Sequence, residues 1–153
     1  MVQGRGGFIF EDDDASVYFL WDNGKMARLN DDLSGLQQER RHLQTLHGSP
    51  VGSEGIGLVK INNRYVLHAA QWQGNDPQNA TYDLMYALSE EIIGPYSPQS
   101  LAVPHGGHST VFQDKDDRWR ATFFGHDKTA PFRSRFGLVD LDVTDGLAIR
   151  VRE

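Results

Sequence analysis

Two glycine-flanked segments carry the side chains of this sequence best suited to chemistry. The first is Gly52-Ser53-Glu54-Gly55-Ile56-Gly57. A carboxylate between glycines can project into a cleft with little steric competition, where it could give or take a proton. In the plainer reading Glu54 is a solvated loop acid. The second segment is Val103-Pro104-His105-Gly106-Gly107-His108-Ser109. Imidazoles bind metals, carry protons and contact polar ligands near neutral pH. In the plainer reading each ring is satisfied by backbone carbonyls. Both segments lie directly before apolar, strand-like runs, so equivalent elements should position both.

The composition limits what these groups could act on. The chain has 153 residues, a net charge of −6 and no cysteine. Its lysines and arginines are scattered, and an acidic chain without a basic face is a poor partner for a phosphate backbone. No apolar stretch approaches the roughly 20 residues of a membrane span. Nucleic acid and membrane are therefore excluded as main partners. Hydrophobic residues make up 39% and charged residues 24%, a globular balance. The absence of cysteine excludes disulfides and thiolate metal sites but selects no compartment. Met1-Val2-Gln3-Gly4-Arg5 contains no apolar core of a signal peptide.

The elements that position the two segments come from a repeat. One unit recurs: an apolar strand, an Asp/Asn-rich turn, then an aromatic strand. It appears as Phe8–Phe10, Glu11–Asp14 and Val17–Trp21; as Gly57–Ile61, Asn62-Asn63 and Tyr65–Leu67; and as Thr110–Phe112, Asp114–Asp117 and Trp119–Phe124. Asp and Asn tolerate left-handed backbone and bond nearby amides, which suits such turns. A third run follows each copy, at Met26–Leu29, Tyr82–Ala87 and Gly137–Leu141, and a weaker fourth at Arg41–Leu46, Ser100–Val103 and Ala148–Val151. Tyr18, Tyr65 and Trp119 hold matching places. Four short strands per roughly 40–50 residues predict an all-β fold, a partial β-propeller of about three four-stranded blades. The blades run approximately over 6–47, 53–104 and 105–153, in a single partial propeller domain.

A meander sandwich is the competing architecture, and a helix over Asp32–Leu46, capped by Ser34, is the competing local reading. Gln73–Ala80 reads as a polar hairpin loop. Propellers typically have four to eight blades, so three leave the ring open. Either further blades precede Met1 or copies of the chain complete one another through exposed blade edges. In a propeller the innermost strands converge on a central channel. The segments leading into two such strands would aim Glu54 and His108 at one axis.

With these motifs in place, the chain resembles glycoside hydrolase family 43, a family of five-bladed propellers. Ser53-Glu54-Gly55, followed by Leu58-Val59-Lys60, Asn62-Asn63 and Tyr65-Val66-Leu67, resembles the blade that carries its general acid, with Ile56 in place of a proline. Tyr82-Asp83-Leu84, Ala87, Ser89 and Ile93-Gly94-Pro95-Tyr96 resemble its "Ser…Gly-Pro-Tyr" run. Gly107-His108-Ser109 through Asp114 resembles its "Gly-His-Gly/Ser…Phe-x-Asp" blade, and Phe10–Asp14 with Val17-Tyr18-Phe19 resembles its third blade. Ala121–His126 with Pro131-Phe132-Arg133 is similar to bacterial groups allied to this family and to family 117.

The resemblance implies inverting hydrolysis of an O-glycosidic bond in an oligo- or polysaccharide with arabinose-, xylose- or galactose-type linkages. Glu54 matches the general acid. His108 matches a channel histidine that lies against a bound calcium or its waters in family 43, and a histidine implicated as the acid in family 117. His105, Trp72 and Arg133 are the candidate sugar contacts. Calcium is the one cofactor the resemblance brings in, held through water at His108. A periplasmic or extracellular location is usual for the family.

The departures are as informative. The catalytic base belongs to a blade with no counterpart in this sequence. The carboxylate that tunes the acid would precede Phe8, where the chain reads Gly4-Arg5-Gly6-Gly7. Asp12, Asp13 and Asp14 fall at the far end of that strand. The expectation is a glycosidase-like fragment, inactive or weak alone. The alternative is a non-catalytic carbohydrate-binding or self-assembling propeller, with Trp21, Trp72 or Tyr65 as the sugar-facing aromatics.

Overall fold

A computed structural model describes residues 6–152, and these residues are all-β, with no helix among them. Twelve strands form three antiparallel meanders. The first holds β1 (Gly7–Glu11), β2 (Val17–Trp21), β3 (Lys25–Leu29) and β4 (Leu36–His42). The second holds β5 (Glu54–Ile61), β6 (Arg64–Gln73), β7 (Thr81–Ser89) and β8 (Ser100–Val103). The third holds β9 (Val111–Gln113), β10 (Trp119–Phe123), β11 (Gly137–Val143) and β12 (Ile149–Val151). The leading strands β1, β5 and β9 lie side by side, and the last strands β8 and β12 meet at the rim. This is the blade arrangement of a propeller arc.

The turns form where the polar residues require them. Ala15, Asn62, Asn63 and Asp117 all have φ between 49° and 63°. The Asn62-Asn63 pair makes the two-residue hairpin between β5 and β6, which needs left-handed backbone at both positions. The carboxylates of Asp14 and Asp114 accept from the Ser16 and Asp116 amides, at 2.8 and 2.9 Å. Asp12 also ties blade one to blade two. It accepts from the Tyr65 hydroxyl at 2.6 Å and from Lys60 Nζ at 3.0 Å.

Two apolar cores hold the arc together, and both use the middle blade. Leu20 and Met26 of the first blade pack with Leu58, Leu67 and Ala87 of the second. Val66, Leu84 and Val103 of the second pack with Val111, Ala121, Leu141 and Ile149 of the third. Val66 and Leu67 are neighbours in sequence and serve opposite cores, as successive strand residues must. This is why Tyr65–Ala70 is an unbroken buried run. The outer faces of the end blades are left to solvent: Ile9 is 64% exposed and Leu138 is 53% exposed.

The helix considered over Asp32–Leu46 does not form. Leu33, at φ 58°, lies in a turn where the Asp32 carboxylate accepts from the Ser34 amide at 3.0 Å. Residues Leu36–His42 then pair with β3. This outer strand starts earlier than its apolar residues suggest. Leu43 follows it into the core, and Leu46 N donates to Tyr96 O at 2.7 Å, clasping the next blade.

One buried group stands apart. His68, on β6 opposite Gly57, is 1% exposed, and neither ring nitrogen has a hydrogen-bond partner among the described residues. A Cβ on Gly57 would lie 2.3 Å from its Cε1, so only glycine leaves room for the ring. Burial pulls His68 down to about 4 from an ordinary 6.5. The unfolded chain therefore binds the extra proton first, and stability falls as pH drops from about 6.5 to 4. Replacing His68 by Leu should flatten the urea-denaturation stability profile across that window. A slope unchanged from wild type would show that His68 is not its source.

Candidate active site

Glu54 begins β5 at an irregularity in the ladder. It pairs with Ala70, while Gly57 already pairs with His68, so an extra residue is bulged out between them. Gly55 supplies the bulge with φ 62°, and a Cβ there would lie 2.8 Å from the His108 ring. The bulge turns the Glu54 carboxylate toward β7. There the Tyr82 hydroxyl donates to Glu54 Oε1 at 2.7 Å and lies 2.8 Å from His108 Nδ1. One phenol thus joins the acid of one glycine-rich segment to the imidazole of the other. Gly107 has φ 59°, and a Cβ on it would strike the Tyr82 ring at 2.7 Å. Glycine is needed at both points of close approach.

His108 is exposed and, with Gly55, Ile56, Phe8 and Thr110, lines a cleft of about 180 Å³ at the ends of β1, β5 and β9. Tyr82 is 2% exposed. Burial first, and then the hydrogen bond and charge of Glu54, raise its phenol well above the usual range, so it stays protonated. Trp72, directly across the β6–β7 pair, stacks on Tyr82 with ring centroids 4.7 Å apart. His126 meets both rings edge-on, and Phe124 stacks on His126.

A buried carboxylate supports this layer from behind. Asp127 is 1% exposed. It accepts from the Tyr82 amide at 3.0 Å, from His105 Nδ1 at 2.9 Å, and from the Thr129 amide and hydroxyl at 3.0 and 2.8 Å. Burial works to raise its carboxyl, but these bonds outweigh it and hold the group at about 2. The His105 amide in turn donates to Asp83 at 2.8 Å.

The structure brings Glu54 and His108 together, through Tyr82. It turns the His105 ring onto Asp127. It leaves Trp72 41% exposed beside Tyr82 and Arg133 exposed in the 124–136 loop. Trp21 and Tyr65 are buried, at 2% and 8% exposure, so among the three aromatics considered for sugar only Trp72 offers a face. Asp12 is engaged by Tyr65 and Lys60, away from the Glu54 cluster. Gly6 and Gly7 line the cleft where the resemblance puts the tuning carboxylate, and Gly4 and Arg5 lie outside the described residues.

Calcium takes six to eight oxygen ligands. Among the described residues no three His, Asp or Glu side chains gather as a metal's ligand set. The one carboxylate beside His108 is already held by Tyr82. These residues alone do not fit a calcium site.

Tyr82, Asp127 and His126 were not singled out as site residues from sequence. Tyr82 belongs to an alternating strand and reads as core. Its register partner Trp72 is the one hint, since two large aromatics paired beside the polar 74–80 loop of a hairpin suggest a surface platform.

The site thus sets a carboxylate and an imidazole, joined by a phenol, at the converging ends of the leading strands of a propeller arc. No protein-family model and no curated protein sequence matches the chain. Solved structures do. An α-L-arabinanase from Cellvibrio cellulosa, in complex with arabinohexaose, superposes with a TM-score of 0.73 at 19% identity, covering 95% of this chain and 56% of its own. An exo-1,5-α-L-arabinanase from a bovine ruminal metagenomic library gives 0.75 at 15% identity, covering 100% and 60%. A GH43 protein from Bacillus licheniformis gives 0.72 at 18%, covering 97% and 31%. The fold is therefore that of glycoside hydrolase family 43 propellers, and this chain spans little more than half the length of the two arabinanases.

Asp127 contributes to the acidic limb of stability. Its folded value lies below the ordinary 3.8, so its contribution is full above about pH 4 and is lost as pH falls through about 2. Asp127→Asn should cost about 2 kcal/mol at neutral pH and abolish that part of the acid slope in urea denaturation. An unchanged slope would show that the carboxylate is not the source.

Proposed function

We propose that this chain is the part of a glycoside hydrolase that carries the general acid, Glu54, and that the water-activating base comes from blades outside these three. The observation that supports the acid assignment most is its placement. Glu54 sits where β1, β5 and β9 converge, half-buried, held by a phenol and beside an open cleft. The exposed outer faces of both end blades support a larger ring, because in a propeller such faces are covered by neighbours.

In this reading Glu54 protonates the leaving oxygen as the glycosidic bond breaks. Water attacks the opposite face of the sugar, activated by a carboxylate about 6.5–9.5 Å from the acid. An oligo- or polysaccharide of arabinose, xylose or galactose type is the substrate class. Trp72 offers an apolar face to a sugar ring, and His105 and Arg133 contact the sugar from its margin. A single observation favours the second reading, a carbohydrate-binding module: among the described residues Glu54 has no second carboxylate across the cleft.

Azide separates the readings, because it can replace the missing activated water. With phenyl α-L-arabinofuranoside or phenyl β-D-xyloside and azide, the hydrolase reading expects slow formation of glycosyl azide: the C1–O bond breaks, the C1–N bond forms, and Glu54 gives its proton to phenoxide. Glu54→Gln should slow this by about 10²-fold. Oligosaccharide binding with no azide product, unchanged in Glu54→Gln, would favour the binding module. Absence of both binding and product would overturn both readings.

A further inference from the structure

The Tyr82 hydroxyl has one proton and two neighbours, Glu54 Oε1 at 2.7 Å and His108 Nδ1 at 2.8 Å. An ionised carboxylate only accepts, so with Glu54 charged the phenol proton must point to it. The Tyr82 oxygen is then left as an acceptor, and only a hydrogen on Nδ1 can satisfy it. His108 is thereby held as its Nδ1–H tautomer, with a bare lone pair at Nε2. With Glu54 protonated every direction reverses. The acid donates to Tyr82, Tyr82 donates to Nδ1, and the imidazole hydrogen must sit on Nε2.

We propose that Glu54, Tyr82 and His108 form one hydrogen-bond relay, in which the charge of Glu54 sets the tautomer of His108 and a proton taken up at Nε2 is delivered to Glu54. The transfer balances. A proton binds Nε2, Nδ1 passes its hydrogen to the Tyr82 oxygen, and Tyr82 passes its own to Glu54 Oε1. The net change is one proton moved from the cleft to the carboxylate, with Tyr82 and His108 both neutral at the end.

Three features favour a relay over a chance contact. Nε2 has no hydrogen-bond partner among the described residues, and the ring that carries it lines the cleft. Gly55 and Gly107 are the two places where any side chain would push the imidazole or the phenol out of line. Tyr82 is fixed by Trp72 stacked on its ring and by Asp127 on its amide. Burial keeps its hydroxyl protonated, as a neutral shuttle requires.

The functional consequence rests on the hydrolase reading: a general acid must regain its proton after each turnover. The carboxylate that tunes the acid in the resembling family has no counterpart before Phe8 among the described residues. Tyr82 with His108 would take over the positioning of Glu54 and supply its proton from the cleft.

Ring ¹⁵N spectra of His108 test the relay, recorded on the whole chain at a pH where the imidazole is neutral and Glu54 is ionised. Wild type should show a pyrrole-type Nδ1 and a pyridine-type Nε2. Glu54→Leu removes the acceptor and frees the phenol proton for Nδ1, so the tautomer should switch to Nε2–H. Tyr82→Phe should switch it too, and adding Glu54→Leu to Tyr82→Phe should change nothing more. An Nε2–H tautomer in wild type would overturn the relay. So would a ring indifferent to Glu54→Leu, or one that responds equally without the phenol. If Glu54→Leu fails to fold, the wild-type and Tyr82→Phe spectra still decide. No sugar enters this measurement, so it can fail while azide rescue succeeds, and the reverse.

Discussion

Each blade of this arc depends on one constraint: a sheet with an apolar face must bury it against another sheet. Only the middle blade has a neighbour on each side. Leu67, fully buried in one core, and Val66, fully buried in the other, show the two faces being used by adjacent residues. Fully burying such a side chain is worth about 1.5–3 kcal/mol, and β6 and β7 bury 13 of their 19 residues. The end blades each contribute one covered face and leave the other in solvent.

The site inherits its rigidity from that middle blade. Glu54 comes from β5, Tyr82 from β7 and Trp72 from β6, three strands of one sheet. Of the relay's three side chains, His108 arrives from the third blade, on the segment leading into β9. Its ring fits where Gly55 has no side chain, and the Tyr82 ring beside it where Gly107 has none. Asp127 couples the two blades again, bonding the Tyr82 amide of one and His105 of the next. The carboxylate and phenol are thus positioned on one well-packed sheet, and the third blade meets them through His108 and Asp127.

Much of this was legible in the residues, for physical reasons that can be named. The Asp/Asn turns and period-two strands disclosed the three four-stranded blades, because left-handed turn residues and alternation are local signals. Glu54 and His108 were legible as partners because equivalent positions in a repeat point to one axis. The outer strand β4 was misplaced because Gln37-Gln38-Glu39-Arg40-Arg41 pairs on an exposed rim, where no alternation is required. Tyr82 and Asp127 were missed because their roles are tertiary. The Tyr82 hydroxyl finds Glu54 only through the bulge at Gly55, and Asp127 earns its partners only when the 124–136 loop folds under the second blade. His105 matched a plainer reading in part, its ring satisfied by a polar group, though a carboxylate and not a carbonyl.

If the middle blade is the element on which fold and site both rest, opening of the chain should begin at its flanks. Native-state hydrogen exchange measures this most directly. The slowest amides should be those of β6 and β7, exchanging only on global unfolding, while β4 and β11 open earlier. Uniform protection across the three sheets, or slowest exchange in an end blade, would contradict the dependence of the site on the middle blade.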